Sequence, residues 1–244
     1  MPSPRIFIAE NDRPGERAAA DGAQLLIEAT EARGRANAVF ATGRSQVELL
    51  QNLVANDDID WSRVTGLHLD EYIGLPMDHP ASFRRFLKER LVDRVRLAAF
   101  HYVDGEAEPL VECERLGSLL RRHPIDVAFL GIGENGHLAF NDPPADFATD
   151  DPFIVVALDE ACRNQQVGEG WFRECSDVPE RAISMSIRQI LTAKSIVCTV
   201  PDARKAEAVR AALHAPIGPD VPASILRQHA HVGIYLDRES ASRL

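Results

Sequence analysis

The chain has 244 residues, 45% of them hydrophobic and 26% charged, enough for one sizeable α/β domain with its own core. A formal net charge of −10 weighs against a general nucleic-acid binder, which needs a basic face, but not against a small anionic substrate held by a few local cations. Four cysteines without CxxC spacing argue against a zinc knuckle or a disulfide framework and fit a reducing cytoplasm. No apolar run reaches the ~20 residues of a membrane helix, and MPSPRIFIAEN lacks a signal-type apolar segment, so a cytoplasmic protein is expected.

Along the chain, short β-branched runs alternate with longer helical patterns. Strands are predicted at Arg5–Ala9, Ala36–Ala41, Val64–Leu69, Ala99–Val103, Asp126–Gly131, Phe153–Leu158, Ala182–Met185, Ser195–Val200 and His231–Leu236. Helices are predicted at Pro14–Ala32, Ser45–Asn56, Ser82–Leu91, Ala107–Arg122, Ile187–Ala193 and Asp202–Leu213. Strand then helix, repeated, implies a single-domain, Rossmann-like α/β fold over residues 1–244, with a mostly parallel sheet and helices on both faces. No Gly-, Ser- or Pro-rich linker and no internal repeat divides it. Ligands of such sheets gather beyond the carboxyl ends of strands. Three loops there carry unusual chemistry: ATGRSQ, DEYIGL and GIGENGHLAFNDPP.

In the third loop, Gly131, Gly133 and Gly136 spell GxGxxG after the apolar DVAFL. A dinucleotide fingerprint also needs a helix starting in the loop, to face the pyrophosphate. Pro143 and Pro144 stop any such helix within two turns, which excludes that reading. The loop is better suited to catalysis: glycines allow close backbone approach, and His137 transfers protons near neutral pH. Asp142, five residues on, is placed to orient that imidazole. An isolated histidine at a strand end is more often a cap; three flanking glycines and an acidic loop favour function here.

HLDEY supplies Asp70 and Glu71, one of which is a candidate general base, with an N-cap or solvated turn as the bland alternative. Thr42, Gly43, Arg44 and Ser45 precede a helix and make a candidate phosphate cradle, unless Ser45 is only an N-cap. Lys205, at the start of another helix, is a candidate cation for the same ligand.

Taken together, RIFIAEN, ATGRSQ, LHLDEYIGLPMDHPASFRRFL, LGIGENGHLAFNDP, the region of Lys205 and VPASILRQH resemble the glucosamine-6-phosphate deaminase family, within the wider group that includes the 6-phosphogluconolactonases. The resemblance implies Asp70 as the proton-abstracting carboxylate, His137 as the ring-opening histidine and Asp142 as its supporting acid, where Glu is usual. It puts Asn135 where some members carry a second acidic partner. It implies a phosphate loop at Thr42–Ser45, joined by Gly136 of the glycine loop, and a phosphate-binding lysine at Lys205. It also implies a mobile lid within residues 157–179, with Arg163 and Arg173 as alternative counterparts of the family's lid arginine.

The expected substrate is a phosphorylated 2-amino sugar, with glucosamine, galactosamine and other sugars left open, as is homo-oligomerisation. The expected reaction couples aldose–ketose isomerisation to loss of ammonia, and uses neither metal nor organic cofactor. No nucleic-acid or membrane partner is expected. Two alternatives stand: a lactonase, in which the histidine activates water, and a sugar-phosphate sensor without turnover. Leu-Ala-Phe-Asn-Asp after His137 departs from the Thr-Ala-Ser of the lactonases, and the intact DEY motif favours isomerisation.

Overall fold

A computed structural model describes residues 4–244. Ten strands are formed: β1 (Arg5–Ile8), β2 (Ala36–Phe40), β3 (Val64–His68), β4 (Asp70–Tyr72), β5 (Ala99–His101), β6 (Val127–Leu130), β7 (Phe153–Ala157), β8 (Arg181–Met185), β9 (Ser195–Val200) and β10 (Val232–Leu236). The helices are α1 (Pro14–Arg33), α2 (Val47–Val54), α3 (Phe83–Leu87), α4 (Pro109–Arg122), α5 (Glu160–Gly168), α6 (Ile187–Ile190) and α7 (Ala206–His214), with short 3-10 turns between them and a π turn, Lys88–Val92, continuing α3. Among the described residues, no helix is long and apolar enough to cross a membrane.

Seven strands make one parallel sheet in the order β1-β10-β9-β6-β2-β3-β5. Its central strands read ANAVF, VAFL and SIVCTV and are buried almost throughout, as strands covered on both faces must be. Alternation along β2 serves two cores. Ala36, Ala38 and Phe40 join Ala18, Ala23 and Leu26 of α1 and Leu49, Leu50 and Leu53 of α2. Val39 and Ala41 join Leu116 and Leu120 of α4 and Ala208 and Val209 of α7 on the other face. The doubly wound single-domain α/β architecture is therefore as expected from the alternation.

The chain runs outward from β2 to β3 and β5, then returns to place β6 on the other side of β2. The carboxyl ends of β2 and β6 thus lie side by side where the winding reverses, with Ala41 N–H bonded to the Phe129 carbonyl at 3.0 Å. That is the position at which open α/β sheets hold ligands.

One strand was absent from the expectation. The residues after β3, expected to form a loop, instead form β4 at Asp70–Tyr72, which pairs antiparallel with β8, which pairs in turn with β7. This small second sheet carries an aromatic cluster of Tyr72, Phe83, Phe140 and Phe172, with centroids about 5–6 Å apart. After β7, where no helix is predicted, the chain forms α5, and Asp159 caps it by accepting the Cys162 N–H.

Candidate active site

Leu69 is the hinge between the two sheets. Its N–H binds the Phe40 carbonyl of the large sheet at 3.3 Å, and its carbonyl accepts from Met185 beside the small one. The next side chain, Asp70, is consequently held at the end of β3 and lines a cavity of about 380 Å³. It is 5% exposed, and burial, with the charge of adjacent Glu71, pushes its carboxyl well above the ordinary aspartate range. Glu71 faces away from the cavity. Its carboxylate accepts the N–H groups of Tyr72, Phe83 and Arg84 and the Ser82 hydroxyl, which anchors the start of α3. The two acids of one motif are thus a cavity group and a structural group.

The loop after β6 forms no helix, consistent with rejection of a dinucleotide site. It folds back instead, with Gly133 N–H on the His137 carbonyl. The His137 ring lies against Gly133 so closely that a Cβ there would come within 2.3 Å of it. His137 lines the cavity, and its Nδ1 is 2.9 Å from Oδ1 of Asp142. The contact is side-on, leaving Nδ1 without a well-aligned hydrogen-bond partner. Asp142 lies behind the ring. Burial raises its carboxyl, but His137, the Asn135 amide at 2.9 Å and the Asp159 N–H at 3.3 Å together hold it below the ordinary range.

Asn135 does not line the cavity. It donates to both Asp142 and Asp159 and accepts the His137 N–H, bracing the loop from behind. Gly136 does not line the cavity either; it turns the chain at φ +86° and its carbonyl accepts from Ala223. For these two residues the sequence pattern pointed to the right loop, but not to the face it presents.

Thr42, Gly43, Arg44 and Ser45 all line the cavity, as does Lys205. Gly43 has φ +92°, a backbone region that glycine tolerates and that lets the loop open toward the ligand. Lys205 is 6% exposed; burial lowers its ammonium pKa, while Glu169 and Glu134 partly restore it. Neither Arg44 nor Lys205 has an ion-pair partner among the described residues. The two candidate lid arginines are elsewhere: Arg163 donates to the Cys175 carbonyl, and neither it nor Arg173 reaches the cavity wall. Arg44 instead extends toward the end of α5, with a guanidinium nitrogen 3.6 Å from where a Cβ on Gly170 would stand.

Several wall residues had no sequence signal of their own. Gln165, Gln166 and Glu169 arrive from α5 and its end, and Arg204, Asp237 and Glu239 from the sheet's other half. Gln165 accepts the Glu134 N–H and donates to Glu169, which also accepts from the Trp171 indole, tying α5 to the loop that carries His137. The Asp159 cap was the one local cue to α5.

A family profile described as glucosamine-6-phosphate isomerases/6-phosphogluconolactonase matches residues 10–234. The chain belongs to that family. It is 41% identical over 205 residues to a glucosamine-6-phosphate deaminase of an Exiguobacterium species, covering 84% of this chain and 79% of that one. A glucosamine-6-phosphate deaminase of Lactobacillus delbrueckii subsp. bulgaricus is 35% identical over 98% of this chain and 99% of its own. Among solved structures, a monomeric glucosamine-6-phosphate deaminase superimposes with a TM-score of 0.88 at 29% identity, covering 98% of this chain and all of that one. A 6-phosphogluconolactonase from Shewanella baltica, at 22% identity and TM-score 0.77, shares the fold over 97% of both chains. This member of the family is an enzyme of the deaminase type, and carboxylate, imidazole and cationic side chains line one cavity in it.

Proposed function

We propose that this chain converts glucosamine 6-phosphate to fructose 6-phosphate and ammonia. The observation that carries the reading is that Asp70, the His137–Asp142 pair, the Thr42–Ser45 loop and Lys205 meet around one cavity. In this reading Arg44, Lys205 and the loop hold the phosphate, and the sugar ring extends toward Asp70 and His137.

The chemistry follows from what those groups do with protons. His137 moves a proton between O1 and O5, opening the ring, while Asp142 keeps the imidazole oriented. Asp70, ionised, takes the carbon-2 proton of the open chain; a buried carboxylate with a raised pKa is the stronger base for that task. The electron pair moves to an enol, which is reprotonated at carbon 1, and water replaces nitrogen at carbon 2 as ammonia leaves. Every step is a proton transfer, an addition or an elimination, so no redox cofactor is called for. Asn135 acts only by bracing Asp142.

Residues 157–179 are proposed to work as a lid, since α5 contributes Gln165, Gln166 and Glu169 to the cavity and can withdraw them only by moving. The enzyme is proposed to act in the cytoplasm, where sugar phosphates are held, with its four free cysteines reduced. The test is a panel of amino-sugar phosphates and 6-phosphogluconolactone, reading ammonia and acid release in parallel. Ammonia from glucosamine 6-phosphate is the expected result; acid from the lactone without ammonia would replace this reading with a hydrolase.

A further inference from the structure

Cys162 takes no part in the steps above, yet its position is unusual. It stands in the first turn of α5, 1% exposed, with its Sγ within 4.8 Å of an Asp142 carboxylate oxygen. One donor atom each from His137, Asp142 and Cys162 lies within 4.8 Å of both others. A zinc ion makes bonds of about 2.0–2.3 Å to nitrogen, oxygen and sulfur, so donors separated by up to about twice that length can share one ion.

A second observation points the same way. Nδ1 of His137 is buried and 2.9 Å from Oδ1 of Asp142, but the two atoms stand side by side rather than head-on, and Nδ1 lacks an aligned partner. Adjacent ligands of one cation stand in this relation. No lysine or arginine ion-pairs with Asp142 among the described residues, so its charge is free to meet an ion. Its other contacts, the Asn135 amide and the Asp159 N–H, orient the carboxylate as outer partners of a metal ligand do. A nitrogen, oxygen and thiolate set selects a thiophilic divalent cation over magnesium or calcium.

We propose that His137, Asp142 and Cys162 form a binding site for a zinc-type divalent cation, and that its occupancy reversibly inhibits the enzyme. The ion bonds to Nδ1, a carboxylate oxygen and Sγ. The thiol proton leaves to solvent, and water completes the coordination. With Nδ1 engaged, the imidazole is fixed as a neutral ligand and no longer exchanges protons at that nitrogen. The inhibition rests on the role given to His137 above; the binding does not.

The test is titration of the full chain with cadmium, following the ultraviolet sulfur-to-cadmium charge-transfer band, with ammonia release measured on the same samples. One equivalent is expected to saturate the band and suppress turnover, and a chelator to restore it. Cys162→Ser is expected to abolish the band, and His137→Gln to weaken cadmium binding roughly tenfold or more. A band undiminished in Cys162→Ser, arising from Cys113, Cys175 or Cys198, would overturn the proposal, as would unchanged affinity in His137→Gln. Cadmium-113 NMR of the unmodified chain needs no variant: one sulfur with nitrogen and oxygen donors is expected, and two sulfurs or none would refute the site. Should no sugar phosphate release ammonia, the band and the NMR spectrum still decide the metal site.

Discussion

Oδ1 of Asp142 lies 2.9 Å from Nδ1 of His137, and the same carboxylate is held from behind by Asn135 and by the N–H of Asp159, the cap of α5. The His137–Asp142 pair is thus braced from the start of α5 as well as by its own loop. Because ring opening and carbon-2 deprotonation are assigned to different side chains, they are separable by mutation. His137→Gln is expected to cripple turnover of the cyclic substrate and to spare much of the rate on an analogue locked in the open chain. Asp142→Asn should act in the same direction but more mildly. The ratio of mutant to parent rates on the two substrates is the measurement, and equal loss on both would tie His137 to the carbon-2 step.

Asp70 gives a pH prediction with a definite sign. A base works only when ionised, and burial with the Glu71 charge raises this carboxyl. The acid limb of kcat/KM should therefore lie above the ordinary aspartate range, with rate rising as pH climbs through it. Asp70→Asn should remove that limb and lower kcat by roughly 10²–10⁴ or more while substrate still binds. Exchange of the carbon-2 hydrogen in deuterated water checks the assignment directly; undiminished exchange in the variant would end it.

How far the sequence carried is visible in particular residues. All nine anticipated strands formed because each is a β-branched or apolar run ended by a turn, and continuous burial of the inner strands β2, β3, β6, β9 and β10 writes that pattern most plainly. β4 was illegible because DEY has no apolar alternation; the cross-sheet partner β8 makes it a strand. α5 was hidden for a related reason: NQQVGEGW reads as polar coil, and its polar faces turn to the cavity and to Glu134. Asp70, His137 and Lys205 were legible as residue types at strand or helix ends, whereas Glu169 and Cys162 acquire meaning only when α5 folds back over the loop.

Gly133 is a packing prediction. A methyl group there would stand 2.3 Å from the His137 ring, so Gly133→Ala has to push the imidazole aside. Activity should fall nearly as far as in His137→Gln, since a misplaced catalytic group of about 1 Å can cost 10²-fold. Thermal stability should change far less, because the ring borders an open cavity. Wild-type activity in Gly133→Ala would show that the loop relaxes without moving His137.

His68 predicts acid sensitivity of the fold itself. It is fully buried, accepts the Val103 N–H on Nδ1, and is pushed down to about 3 by burial and by Arg84. The unfolded chain takes a proton near pH 6.5, whereas the folded chain resists until about 3. Stability from this group is thus complete above about pH 6.5 and is lost progressively as pH falls toward 3. His68→Asn keeps an acceptor for Val103 and cannot ionise. Urea melts across that window should show a flatter pH dependence for the variant, and parallel curves would remove His68 from the account.

Lys205 and Arg44 supply the last prediction, because they are cations of the cavity wall without an ion-pair partner among the described residues. A buried ammonium with a lowered pKa has lost hydration, so an anion entering beside it recovers much of that lost free energy. A charge-assisted contact to phosphate contributes about 1.5–3 kcal/mol, which predicts roughly 10- to 150-fold weaker binding of phosphorylated ligand in Lys205→Ala. Arg44 is exposed, so Arg44→Ala should cost less alone. If both hold one phosphate, their effects should couple: the double variant should lose less, or more, than the product of the single losses. Calorimetry with glucosamine 6-phosphate and with unphosphorylated glucosamine separates phosphate contacts from general damage. Equal losses for both ligands, or strictly independent effects of the two substitutions, would mean that Arg44 and Lys205 do not grip a common phosphate.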